Sequence, residues 1–75
     1  MEREMVVVWW DSDREKDRWH VELLRKKADG SYEVFTGSDD PEFPVRVNDF
    51  GPFQEDLLIR NIKEVFPDAD IRLKL

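Results

Sequence analysis

Five carboxylates, Asp11, Asp13, Glu15, Asp17 and Glu22, stand at positions 1, 3, 5, 7 and 12 of a twelve-residue stretch, the spacing from which a calcium loop draws its oxygens. A hard cation held by one short loop needs several staggered oxygens, so residues 11–22 form a candidate weak calcium-binding loop. The match is incomplete. Lys16 occupies the position where the sharp turn needs glycine, and the residues before Asp11 have a strand pattern rather than a helical one. Arg14, Lys16 and Arg18 also offset most of the local negative field. The competing reading is a solvated loop whose charges pair with one another.

His20 is the one histidine and cysteine is absent, which excludes zinc sites built from several such ligands. Acid–base chemistry would have to run through this ring or through carboxylates. The ring is out of phase with Trp19 and Val21, so it is expected to be exposed or to face a partner. Ser12, Ser31 and Ser38 lack the sequence context of an activated nucleophile. Asp39 with Asp40, and Asp68 with Asp70, have the spacing of turn and cap formers. Gly30, Gly37 and Gly51 belong to no phosphate-cradling loop. Arg25-Lys26-Lys27 is the one basic cluster, and with Trp9, Trp10 and Tyr32 it could stack single-stranded nucleic acid. A net charge of −6 opposes that, and three cations at a hairpin end also guard a sheet edge. The residues therefore predict a protein that is not an enzyme, carries no cofactor and does not bind nucleic acid.

The elements that would position these groups follow from the apolar pattern. Residues 1–75 have the length of one domain with a single, barely adequate core. Without cysteine, packing alone must hold it, which fits a reducing cytoplasm. The apolar stretch after Glu4 is too short for a membrane span or a signal-peptide core, so the expectation is an unprocessed, soluble, cytoplasmic protein.

Met5-Val6-Val7-Val8-Trp9-Trp10 reads as a strand that leaves neither face polar. Trp19, Val21 and Leu23 alternate with His20 and Glu22, a period of two that predicts a second strand in preference to a helix over residues 12–28. Asp29-Gly30 supplies a hairpin turn into a third strand over residues 31–36. Phe43, Val45 and Val47 alternate with Pro44, Arg46 and Asn48, either as a short edge strand or as an extended connector. Pro52 to Phe66 reads as a helix, with Glu55 and Asp56 in its first turn and Phe53, Leu57, Leu58, Ile62, Val65 and Phe66 as its apolar stripe. Residues 71–75 alternate as a last strand. The predicted fold is α+β: a small, mostly antiparallel sheet of four to five strands, β-β-β-(β)-α-β, with one helix from the C-terminal half on one face.

One helix seals one face of such a sheet. Either Met5, Val7 and Trp9 or Val6, Val8 and Trp10 are then left over, and Leu24 and Phe35 fall on the same second face. An apolar patch of this kind marks an interaction site unless the loop and the segment from Phe43 to Phe50 fold over it. The leading expectation is a small acidic protein-interaction module that contacts another protein, or a second copy of itself as a homodimer, through this face or its edge. Trp9, Trp10 and Phe35 are the candidate anchors, with Val6 and Val8 beside them. The alternative is an acidic decoy that occupies a nucleic-acid-binding protein through Asp39, Asp40, Glu42, Asp49, Glu55 and Asp56. Those six carboxylates face Arg46 alone over residues 37–56.

Overall fold

A computed structural model describes residues 4–12 and 17–74. Four strands form one sheet in the order β3-β2-β1-β4. The chain runs β1 (Met5–Asp11), β2 (Arg18–Lys26), β3 (Tyr32–Gly37), a 3₁₀ turn (Val47–Asp49), α1 (Glu55–Val65) and β4 (Asp70–Leu73). This is the predicted α+β architecture with four strands. β1 and β2 pair antiparallel, as do β2 and β3, while β4 returns parallel to β1 after the helix. β1 is thus flanked on both sides, which suits the one strand whose residues are apolar on both faces. Among the described residues no helix is long and apolar enough to cross a membrane.

The register fixes the two faces. Val6, Val8 and Trp10 lie opposite Leu23, Val21 and Trp19 on β2, and Val6 and Val8 also lie opposite Ile71 and Leu73 on β4. This face carries the core, where Val6, Val8, Val21, Leu58 and Ile62 are fully buried. Trp10 packs against the same cluster and meets Trp19 edge-on, with ring centroids 5.3 Å apart. The ambiguity in β1 therefore resolves with Met5, Val7 and Trp9 on the opposite face.

Residues 43–47 alternate as expected, with Phe43, Val45 and Val47 buried and Pro44 and Arg46 exposed. They form bends followed by the 3₁₀ turn, so the optional fifth strand is absent and the connector reading holds. These side chains join Leu58 and Ile62 in the core, so the segment covers the helix side of the sheet, not the second face.

The helix begins at Glu55 rather than Pro52 because the preceding residues close a turn on themselves. The Gln54 amide donates to the Gly51 carbonyl at 3.1 Å, and the Gly51 amide donates to Gln54 Oε1 at 2.7 Å. Trp19 Nε1 donates to the same Gly51 carbonyl at 2.7 Å and ties the helix entry to β2. Phe53 is consequently thrown out of the predicted stripe and is 96% exposed, and Leu57 is exposed as well. Leu75, expected on the last strand, lies outside the described residues.

At the β2–β3 hairpin Gly30 takes φ 91°, the left-handed conformation that glycine adopts without a Cβ penalty. Asp29 Oδ1 accepts from the Ser31 hydroxyl at 2.6 Å and from its amide at 2.9 Å. These bonds, the hydroxyl's first, hold the Asp29 carboxyl below its ordinary value of 3.8.

Candidate functional site

The second face of the sheet reads as columns of side chains. β1 contributes Met5, Val7 and Trp9. Beside them β2 contributes Leu24, Glu22 and His20, which lie opposite Met5, Val7 and Trp9 in that order. Beyond β2, Val34 pairs with Leu24, Tyr32 with Lys26 and Gly37 with Glu22. On the other side β4 contributes Asp70 opposite Met5 and Arg72 opposite Val7. Apolar groups thus run from Tyr32 and Val34 through Leu24 to Met5, Val7 and Trp9, with Glu22 and Lys26 set among them on β2 and charged groups along β4. Among the described residues no helix or loop joins this face to a second core; Val34 is 56% exposed and Tyr32 is also exposed.

Trp9 is the one predicted anchor that the register puts on this face. Val6 and Val8 are sealed in the core at 0% exposure, which corrects them from surface to interior, and Trp10 lies half-buried against that core on the helix side. The reason is phase: alternation sends Val6, Val8 and Trp10 to the side that α1 covers. Phe35 is 57% exposed, yet the Arg25 guanidinium sits over its ring at 3.5 Å. Arg25 shares the phase of Val21 and Leu23, and its Nε donates to Glu4 Oε2 at 3.2 Å. Phe35 therefore stands at the rim of the helix side. A register shift at Leu23/Leu24 upsets the alternation on which its expected place depended.

His20 is buried, with 8% exposure, contrary to the expected exposed position. Trp9 stacks on it across the strand pair, with centroids 5.3 Å apart and planes 12° from parallel, and Lys74 Nζ lies 5.0 Å from the centre of the Trp9 ring. A directly opposed aromatic pair covers its own members, which a one-strand pattern does not reveal. His20 Nε2 lies 3.4 Å from Asp11 Oδ2, within ion-pair reach but not aligned for a hydrogen bond, so Nε2 has no hydrogen-bond partner among the described residues. A depression of about 270 Å³ between β1, β2 and β3 is lined by Trp9, His20, Glu22, Thr36, Ser38 and Asp39, among others. Ser38 Oγ accepts from the Val21 amide at 3.0 Å and ties the end of β3 to β2, while Thr36 Oγ1 donates to Asp40 Oδ2 at 3.2 Å and braces the turn after β3.

The six acidic candidates are all exposed. Asp39 accepts from Arg18 at 3.2 Å, and Asp40 accepts from the Glu42 amide at 2.9 Å as well as from Thr36. Asp39 is therefore tied to β2 and Asp40 into its own loop. Glu55 and Asp56 open α1, where they share a groove with Arg60 and Lys63. Of the calcium-loop candidates, Asp13 and Glu15 lie outside the described residues, Asp11 and Glu22 belong to strands, and the described residues contain no cluster of three potential metal ligands. The chain matches no family model, no curated protein and no solved structure.

Proposed function

We propose that this chain is a non-enzymatic protein-interaction module that works through the second face of its sheet. The observation that carries this reading is the band of half-buried Met5, Val7, Trp9 and Leu24 and exposed Val34 and Tyr32, over which no helix or loop packs among the described residues, opposite a face sealed by α1 and residues 43–50. Apolar side chains gathered on one face and left without a covering layer gain about 25 cal/mol for each Å² that a partner removes from water, before association costs. Arg72 and the Lys74 ammonium above Trp9 border the band on the β4 side. Glu22 and Asp70 stand on the same face as these cations, so the occupant that fits is a protein surface that offers an apolar strip rather than a charge pattern.

A photo-crosslinking residue in place of Arg72, on the rim of the face, tests the idea, with Arg46, exposed on the far connector, as the control site. The captured protein is then purified and titrated against the wild type and against Val7→Lys. Binding should fall at least about tenfold in the variant, persist at high salt and show a negative heat-capacity change. Indifference to Val7→Lys, or a steep loss of affinity with salt, removes the proposal; the latter result points instead to charge-led contact through residues 37–56.

A further inference from the structure

We infer that the outer face of α1, together with the Phe53 turn at its head, is a self-association surface on which two copies of this chain pack with their helices antiparallel across a two-fold axis. Phe53 is 96% exposed, an unusual place for an aromatic ring, and it borders an open groove of about 790 Å³ along the outer flank of α1. Ile59 lines that groove with Glu55 and Asp56 towards one end and Arg60 and Lys63 towards the other. Helical spacing puts Glu55, Ile59 and Lys63 in one row and Asp56 and Arg60 in the next.

This order of charges is self-complementary in one arrangement. A two-fold axis through the groove brings each residue opposite the one equally far beyond the crossing point. With the crossing at Ile59, Glu55 of each copy meets Lys63 of the other, Asp56 comes within reach of the opposing Arg60 and Lys63, and the two Ile59 side chains meet in the middle. Phe53 then extends beyond Glu55 over the far end of the opposing helix, where its ring loses contact with water. Parallel packing would set like charges together. The helix dipole alone accounts for acids before bases on a helix, but it gives no reason for an unpacked phenylalanine beside them.

The helix is 11 residues long, so the footprint is about 16 Å by 10 Å. That is far below the ~800 Å² per partner of a standard interface, so the expected dimer is weak and transient. This surface points away from the sheet, so the inference does not rest on the proposed sheet-face contact. A dimer built this way displays both sheet faces outward, which doubles the valence of the module.

Sedimentation equilibrium from about 20 μM to about 1 mM at low salt tests it, with thermal melts to verify that each variant is folded. Lys63→Glu and Glu55→Lys should each weaken association at least about tenfold, and the double reversal should restore it to within about threefold of the wild type. Phe53→Ser should weaken it similarly with an unchanged melting temperature. A chain that stays monomeric up to about 1 mM overturns the inference, as does a double reversal that fails to restore association. Association lost in Val7→Lys but kept in Lys63→Glu also overturns it, because the copies would then be meeting through the sheet.

Discussion

Val6, Val7 and Val8 are consecutive and chemically identical, so replacing each in turn by alanine measures the burial of the two sheet faces with side-chain chemistry held constant. Val6 and Val8 are fully buried, whereas Val7 lies on the open face and is partly exposed. Truncating valine to alanine deletes two methyl-sized groups, worth about 1.6 kcal/mol in transfer free energy. A residual cavity of about 50 Å³ adds about 1.2 kcal/mol at roughly 24 cal/mol per Å³. Val6→Ala and Val8→Ala should therefore each cost about 2–3 kcal/mol. For a 75-residue chain the total stability is about 4–11 kcal/mol, so this is a large fraction and lowers the melting temperature by roughly 10–20 °C. Val7→Ala leaves no sealed cavity and should cost about 1 kcal/mol or less, mostly through strand propensity. Urea titration followed by tryptophan fluorescence and far-ultraviolet circular dichroism gives all three values on one scale. If Val7→Ala proves as costly as Val8→Ala, the second face is covered, and both the assignment of faces and the sheet-face proposal fail together.

Three further outcomes follow from the geometry. A Cβ on Gly37 would sit 2.8 Å from the Val21 carbonyl oxygen, so Gly37→Ala should destabilise by about 1–3 kcal/mol in the same titration and loosen the β2–β3 junction. Trp19→Phe removes the 2.7 Å indole bond to Gly51, at a cost of about 1–3 kcal/mol with the lost packing, and should raise amide exchange at Gln54 and Leu58 more than in β1. Asp29 has a folded-state pKa held below its unfolded value of 3.8 by Ser31, so its ionisation favours the fold above that value and the benefit is lost as pH falls through the depressed one. Asp29→Asn should thus lower the melting temperature at pH 7 and converge on the wild type in strong acid; a gap that persists unchanged at low pH would show that charge plays no part.

Period was legible in the sequence because it is local. Alternation at Trp19, Val21 and Leu23 marked β2, Asp29-Gly30 marked the hairpin, and Leu58, Ile62 and Val65 marked the buried row of α1. The surplus of apolar residues in β1 was equally visible, and so was the consequence that some of them face away from the helix. Phase was not. A strand that is apolar on both sides reads the same in either orientation, and only the pairing of Val6 and Val8 with β2, β4 and the helix put Val7 and Trp9 outside. Pairing across strands likewise buried His20 under Trp9, and a register shift moved Phe35 to the rim beside Arg25.

The sequence alone determined a small, mostly antiparallel α+β fold of four to five strands with more greasy surface than one helix hides, because repeat spacing and turn chemistry are properties of neighbouring residues. Tertiary structure decided which tryptophan points inward, that residues 43–47 pad the helix side rather than extend the sheet, and that Phe53 stands free beside α1. Each of those depends on groups distant in sequence: β2 and β4 pair with Val6 and Val8, residues 43–47 pack with Leu58 and Ile62, and Trp19 holds the Gly51 carbonyl at the helix entry.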